Sequence, residues 1–307
     1  MTEAWIIDVA RTPRGVGKQG KGALWEIHPQ RLMSTVLKAL AERNGLNTAE
    51  IDDVIVSCNY QYLKQGQCIA RMAALDAGYD IRSSGVAIDR FCGGGITSVN
   101  MAAASVMSGM EDLVVAGGVE MMSYQKEQGL LGPLDGWNLH LREKFPQINV
   151  GIAADIIATE EGYSRQALDA FAAESQRRAG VALQEGRFNK SLVPVYKDDG
   201  SLALANEEFP RPSTTAEKLA ELAPVFAQFM DMPYFDSGLT YRQMVQKRWP
   251  SLQINHVHHA GNASGVVDGA GAVVVASPAY AKAHGLKPRA RIKAMANMGH
   301  APEYILN

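Results

Sequence analysis

Val86-Ala87-Ile88-Asp89-Arg90-Phe91-Cys92-Gly93-Gly94-Gly95-Ile96-Thr97-Ser98-Val99 is the stretch on which the reading of the fold turns. A short apolar run, 86–88, predicts a strand that delivers the chain into three consecutive glycines. After them Val99, Ala102, Ala103, Val106 and Met107 recur at helical spacing until Gly109. Strand, glycine turn and helix in that order mark the joint of an α/β fold. Working outward, residues 113–116 predict the next strand, closed by Gly117-Gly118, and residues 54–57 the preceding one. Nearer the start, 4–9 predicts a strand. A helix then opens at Pro29, is striped by Leu32, Val36 and Leu40, and stops at Gly45. The same pattern resumes after Asn255, with strands at 271–276 and 289–296 around a helix at 278–284. Continuous apolar strands between helices predict a parallel or mixed sheet covered by helices.

Between these parts the character changes. Over about 124–253 strand signals are weak and helices are longer and charged. One is 164–186, with Ser164 as its cap and Leu168, Phe171 and Leu183 on its apolar side. Thr214-Thr215-Ala216-Glu217 has the spacing of a capping box. This stretch is expected to be an inserted, mostly helical domain. With 47% hydrophobic residues the chain can bury a large core, and a net charge of −2 gives it no electrostatic footprint for nucleic acid. No apolar run approaches membrane-spanning length and the N-terminus has no secretory pattern, so no membrane partner is expected. Three cysteines are too few and too odd a set for a disulfide framework, which fits a reducing, cytoplasmic setting.

Cys92 is the chemical centre of this reading. A thiol at a helix start, flanked by glycines, meets free backbone N–H groups and the positive end of the helix dipole, which favour thiolate. Such a thiolate is an acyl acceptor, and the same N–H groups could face an oxyanion. Spacing alone leaves the alternative open that Cys92 is a small buried hydrophobe. Cys58 and Cys68 lack the glycine turn and are expected to be bystanders. His256, His258 and His259 have a spacing that could hold a metal. With no fourth ligand evident, they are expected to be loop residues and no metal is assigned.

Six segments together carry a family resemblance. Arg11-Thr12-Pro13 resembles the A-R-T-P opening of thiolases, and Gly66-Gln67-Cys68-Ile69-Ala70-Arg71 their G-Q-x-x-A-R loop. Asp89-Arg90-Phe91-Cys92 is similar to the N-R-x-C nucleophile turn, and Gly117-Gly118-Val119-Glu120-Met121-Met122-Ser123 to G-G-x-E-x-M-S. Ser164-Arg165, Asp169, Phe171-Ala172 and Ser175 match the S-R-x-x-x-D-x-F-A-x-x-S stretch. Ala260-Gly261-Asn262-Ala263-Ser264-Gly265 with Asp268-Gly269-Ala270 matches A-G-N-x-S-G-x-x-D-G-A. The resemblance implies a layered αβαβα thiolase core with an inserted helical loop domain for coenzyme A. On that basis 1–123 and 254–277 form the nucleophile-bearing core half, 124–253 the loop domain and 278–307 the beginning of the second half. It implies an acyl-CoA C-acyltransferase of fatty-acid metabolism type, cleaving 3-ketoacyl-CoA or running the reverse Claisen condensation through an acyl-thioester on Cys92. Ser264 would contact the pantetheine arm. Acyl-CoA and coenzyme A would be the substrates with no further cofactor, and the protein would be a homodimer or homotetramer.

Five departures stand out. Asp89 replaces the usual Asn, Gly94 the usual Ser, and Val150-Gly151-Ile152-Ala153-Ala154-Asp155 stands for M-G-x-T-A-E. The link from Phe226 to Ala260 is also long. It is rich in Met and aromatic residues, which reads either as its own apolar cluster or as a wall for an acyl group. No segment after His300 resembles the family's later N-E-A-F, G-H-P and C-x-G motifs. The chain is therefore expected to be part of a longer enzyme with impaired activity alone. The alternatives are a subunit of a split thiolase and a non-catalytic acyl-CoA-binding relative.

Overall fold

The protein is described here by a computed structural model covering residues 3–127 and 132–306. Residues 1–2, 128–131 and 307, which fall within the predicted segments, lie outside the described residues. The chain forms two compact units. The first comprises Met1–Leu130, Arg187–Phe209 and Val266–Ala296; the second comprises Leu131–Gly186, Pro210–Gly265 and Asn297–Asn307.

The first unit is a mixed sheet with helices on both faces. Its strands are β1 (Trp5–Arg11), β2 (Gly15–Val16), β3 (Asp53–Ser57), β4 (Val86–Ile88), β5 (Leu113–Met121), β8 (Val267–Ala276) and β9 (Ala290–Arg291). The order across the sheet is β4-β3-β5-β8-β1-β9, with β2 pairing β8. β3 runs parallel to both β4 and β5, and β8 runs antiparallel to β5 and β1. Alternation along the strands divides the core. Val54, Val56, Val115 and Val274 face α1 (Pro29–Asn44) and α2 (Ile69–Asp76), while Ile55, Val114, Ala116 and Val275 face Ala102, Ala103 and Val106 of α3 (Gly94–Ser108). α1 ends where expected, at Gly45 in the left-handed conformation (φ 58°), and α3 likewise at Gly109 (φ 81°). Smaller helices, α4 (Met122–Glu127) and α10 (Pro278–Ala283), follow β5 and β8.

Three sequence expectations change here. β5 does not close at Gly117-Gly118 but runs through them to Met121. The glycines mark a close approach, because a methyl on Gly117 would overlap the Gly271 carbonyl oxygen of β8. The strand expected at 289–296 shrinks to Ala290–Arg291. Residues 187–209 belong with the sheet, since Arg11 N donates to Ser191 O and Val193 N to Arg11 O at 2.8 and 2.9 Å. This stretch carries the small β6 (Val195–Tyr196) and β7 (Leu202–Leu204) pair, with Val195 inside the first unit's core.

The second unit is helical: α5 (Leu139–Lys144), α6 (Val150–Glu160), α7 (Arg165–Gln184), α8 (Ala216–Ala220) and α9 (Tyr241–Arg248). Ser164 caps α7 by accepting from Ala167 N, but Phe171, expected to face inward, is exposed and Asp169 is buried instead. The cap of α8 is Thr215, one residue later than the sequence spacing implied, and the full capping box lies at Thr240–Gln243 on α9. The unit's core gathers Ile148, Ile152, Ala153 and Ile156 with Met230, Tyr234, Met244 and Val245. Most of the bulky residues in the long link therefore pack on α6 and on one another, leaving Met232 and Phe235 as half-exposed exceptions.

The β5–β8 approach makes a stability prediction. Gly117→Ala should lower the unfolding free energy by about 1–3 kcal/mol through overpacking. Gly95→Ala, which points a methyl into open space at the start of α3, should be neutral or stabilising. Denaturant midpoints for the two variants check the contrast.

Candidate active site

Cys92 occupies a single 3-10 turn, Phe91–Gly93, between the end of β4 and the start of α3. Asp89 builds that turn: its Oδ1 accepts the Phe91 N–H at 2.8 Å, which holds Phe91 in the left-handed region at φ 46°. A carboxylate therefore serves as an acceptor where the resembled pattern has Asn. Gly94 is required by its neighbour, since a Cβ there would overlap Ser57 Oγ at the end of β3. The Ser of the family pattern would not fit against Ser57 in this arrangement. Ser98 Oγ ties α3 to the sheet by donating to Gly117 O at 2.9 Å. The turn is thus fixed from below, while Cys92 is exposed and Gly95 meets nothing on its open side. The opening N–H groups of a helix have no intrahelical acceptor and remain for a ligand.

The other two thiols are built differently. Cys58 is buried; burial, followed by the charges of Glu120 and Asp89, pushes its thiol far up and keeps it protonated. Cys68 is the N-cap of α2 and is exposed. Its Sγ is turned onto the Gly85 carbonyl oxygen at 3.3 Å, and no glycine turn opens beside it. Glu120, from the G-G-x-E segment, is half-buried near the end of β5. It accepts from Asn59 N at 2.7 Å and Gln65 Nε2 at 2.8 Å, and also from Gln125 Nε2. Burial raises its pKa against those donors, and Asp89 adds to the rise. Its role is to bind β5 to the loop after β3.

Ser264 lies in the second unit, exposed between the turn at 259–262 and β8. The sequence reading missed what holds this turn. Asp155 of α6, fully buried, accepts from His256 Nδ1 (2.6 Å), His258 Nδ1 (2.7 Å) and the backbone N–H groups of Val257 and His258. Asp169 of α7 accepts from His259 Nε2 (2.8 Å), Asn262 Nδ2 (2.9 Å) and Arg165 Nε (2.7 Å). Burial pushes both carboxyls up, but the imidazoles, Arg165 and the N–H donors outweigh it, and both lie below the usual carboxylate range. The i,i+4 spacing of Arg165 and Asp169 was the one available signal. No group of three His, Cys, Asp or Glu among the described residues is arranged to hold a metal.

The sequence profile described as the thiolase N-terminal domain matches residues 4–229. The chain belongs to the thiolase family. It is 35% identical over 318 residues to the beta-ketoadipyl-CoA thiolase of Pseudomonas aeruginosa, covering 98% of this chain and 72% of that protein. It is also 35% identical over 314 residues to the acetyl-CoA acetyltransferase of Thiocystis violacea, covering 97% and 71%. A crystal structure of the Bacillus anthracis acetyl-CoA acetyltransferase superposes with a TM-score of 0.75 at 27% identity, over 95% of this chain and 69% of that one. This thiolase is accordingly an enzyme of the acyltransferase class with the thiolase fold.

The Asp155 cluster sets a prediction for this thiolase. Asp155→Asn should cost about 3 kcal/mol, since it strands donors around a buried site. Because the folded carboxyl is depressed, its contribution is complete above the unfolded value near pH 4. The gap between wild type and variant should therefore narrow as the pH falls below about 4. Urea unfolding across pH measures this.

Proposed function

We propose that this thiolase transfers acyl groups between coenzyme A thioesters through an acyl-thioester on Cys92. It would cleave a 3-oxoacyl-CoA with coenzyme A or condense two acyl-CoAs in reverse. The observation that carries the proposal is the contrast among the three thiols. Cys92 alone is both exposed and presented on a glycine turn at the start of a fifteen-residue helix. In thiolysis the Cys92 sulfur attacks the 3-oxo carbonyl carbon, and the bond from that carbon to C2 breaks. C2 takes a proton and leaves as acetyl-CoA, while the shortened acyl group remains on Cys92 as a thioester and departs as the shortened acyl-CoA in the next step. Coenzyme A sulfur then attacks the enzyme thioester, its thiol proton is lost, and the Cys92 sulfur is regenerated. N–H groups at the head of α3 are suited to the developing oxyanion.

Ser264 is assigned to the pantetheine arm, on the strength of its exposed position in the A-G-N-A-S-G turn. Residues 124–253, most of which fall in the second unit, are assigned as the coenzyme A loop domain. No cofactor beyond coenzyme A thioesters is required by these steps. We assign a cytoplasmic, homo-oligomeric enzyme. No helix among the described residues is long and apolar enough to cross a membrane, which is compatible with that location. An oligomer is favoured by the sheet edge: among the described residues β4 pairs only with β3, and Val86, Ile81, Phe91 and Ile96 are exposed near it in sequence.

Two measurements follow. Cys92→Ser should lower kcat for 3-oxoacyl-CoA thiolysis by about 10³-fold or more, while Cys68→Ser leaves it within about twofold. Equal losses in the two variants would remove Cys92 from its role. Native mass measurement should give a dimer or larger, and Val86→Lys with Ile81→Lys should shift it toward monomer.

A further inference from the structure

Three histidines within four residues take opposite orientations in the second unit. His256 and His258 both point Nδ1 at the Asp155 carboxylate, so in each the proton sits on Nδ1. His259 is reversed. Its Nδ1 accepts the backbone N–H of Gly261 at 3.0 Å, so the proton must sit on Nε2, which donates to Asp169 at 2.8 Å. Both sides of the ring are therefore spent, and the ring is 1% exposed. The same turn is closed a second time by Asn262, whose Oδ1 accepts His259 N at 2.8 Å and whose Nδ2 donates to Asp169 and to Val257 O. Asp169 is itself held by Arg165, whose guanidinium also donates to Leu219 O and Leu222 O. Gly261 packs against the Leu219 side chain, which a Cβ at that position would have to displace. The result is a turn over 259–262 with its backbone fixed by one imidazole tautomer, and Ser264 is the second residue beyond it.

We propose that His259 is a positioning residue for acyl-CoA binding: locked as the Nε2–H tautomer between Asp169 and the Gly261 N–H, it sets the turn that presents Ser264. This rests on the assignment of Ser264 to the pantetheine arm. The two ring bonds can be separated by isosteres. His259→Gln places an amide near Nε2 and keeps a donor for Asp169 but removes the acceptor for Gly261. His259→Asn places one near Nδ1 and keeps that acceptor but loses Asp169. If the turn serves binding, each variant raises KM for acyl-CoA by about tenfold with kcat at saturation unchanged within about twofold. A merely structural role would lower the active fraction, and so kcat, with KM unmoved.

The test measures KM and kcat for both His259 variants and for Ser264→Ala in the active enzyme, with acetoacetyl-CoA and coenzyme A as probes. Imidazole ¹⁵N–¹H correlation spectra of the wild-type protein accompany it. Raised KM in all three variants, with an Nε2–H signal for His259, is the expected result. Raised KM in the His259 variants but not in Ser264→Ala supports the role of the turn while removing Ser264 as the contact. Unchanged KM in the His259 variants overturns the proposal whether or not Ser264→Ala shifts KM. A fall in kcat alone overturns it too. Should the variants fail to fold, the wild-type spectrum decides: a shift of the His259 Nε2–H signal on addition of acetoacetyl-CoA upholds the proposal, and a signal unmoved by it, or an Nδ1–H or doubly protonated His259 at neutral pH, overturns it.

Discussion

The antiparallel pairing of β5 with β8 is the constraint on which the first unit depends. It runs in unbroken register from Leu113 opposite Ala276 to Met121 opposite Asp268, and it joins segments about 150 residues apart in sequence. β3 is fixed in parallel on the other side of β5, β4 on β3, and the Cys92 turn on the end of β4. At one end of the register, buried Asp268 accepts from Ser123 N and Oγ at 2.9 and 2.7 Å. These bonds close the strand pair where both chains leave the sheet. At its centre Gly117 lets the two backbones approach beyond what any side chain allows. A shift of one residue would turn Val114 and Ala116 away from α3 and remove the floor beneath the turn.

The Cys92 turn shows how neighbouring substitutions depend on each other. Ser57 and Gly94 meet at the junction of β3 and α3, and there is space for only one of them to carry a side chain. Asp89 and Phe91 likewise act together, the carboxylate holding a left-handed φ that a Phe side chain would otherwise resist. Seen singly, Asp89 and Gly94 look like departures that put the turn in doubt. Seen with their partners, they preserve it. In the second unit the same economy joins the His-Val-His-His run to Asp155 and Asp169.

Much of this was legible in the chain itself. The helix at Pro29–Asn44, the strand at Val86–Ile88 and the stop at Gly109 follow from caps, glycines and apolar spacing that act within one turn. The turn that carries Cys92 was legible for the same reason, since its glycines are adjacent. What escaped depends on partners far away in sequence. Gly117 and Gly118 look like a strand end until β8 is placed beside them. Phe171 looks like a core residue until Arg165 and Asp169 claim the inner face of α7 for their ion pair. The carboxylates that hold the three histidines lie 90 to 103 residues away, and nothing local to the histidines points to them.

The claim that joins the fold to the chemistry is that one thiol of three receives the acyl group. Incubation with isotopically labelled acetyl-CoA, acid quenching and peptide mapping by mass spectrometry tests it most directly. The account predicts a single thioester-linked acetyl group, on the peptide containing Cys92, that is discharged by added coenzyme A. Acetyl found on Cys58 or Cys68, or a label on any residue that persists in Cys92→Ser and is still discharged by coenzyme A, would contradict it.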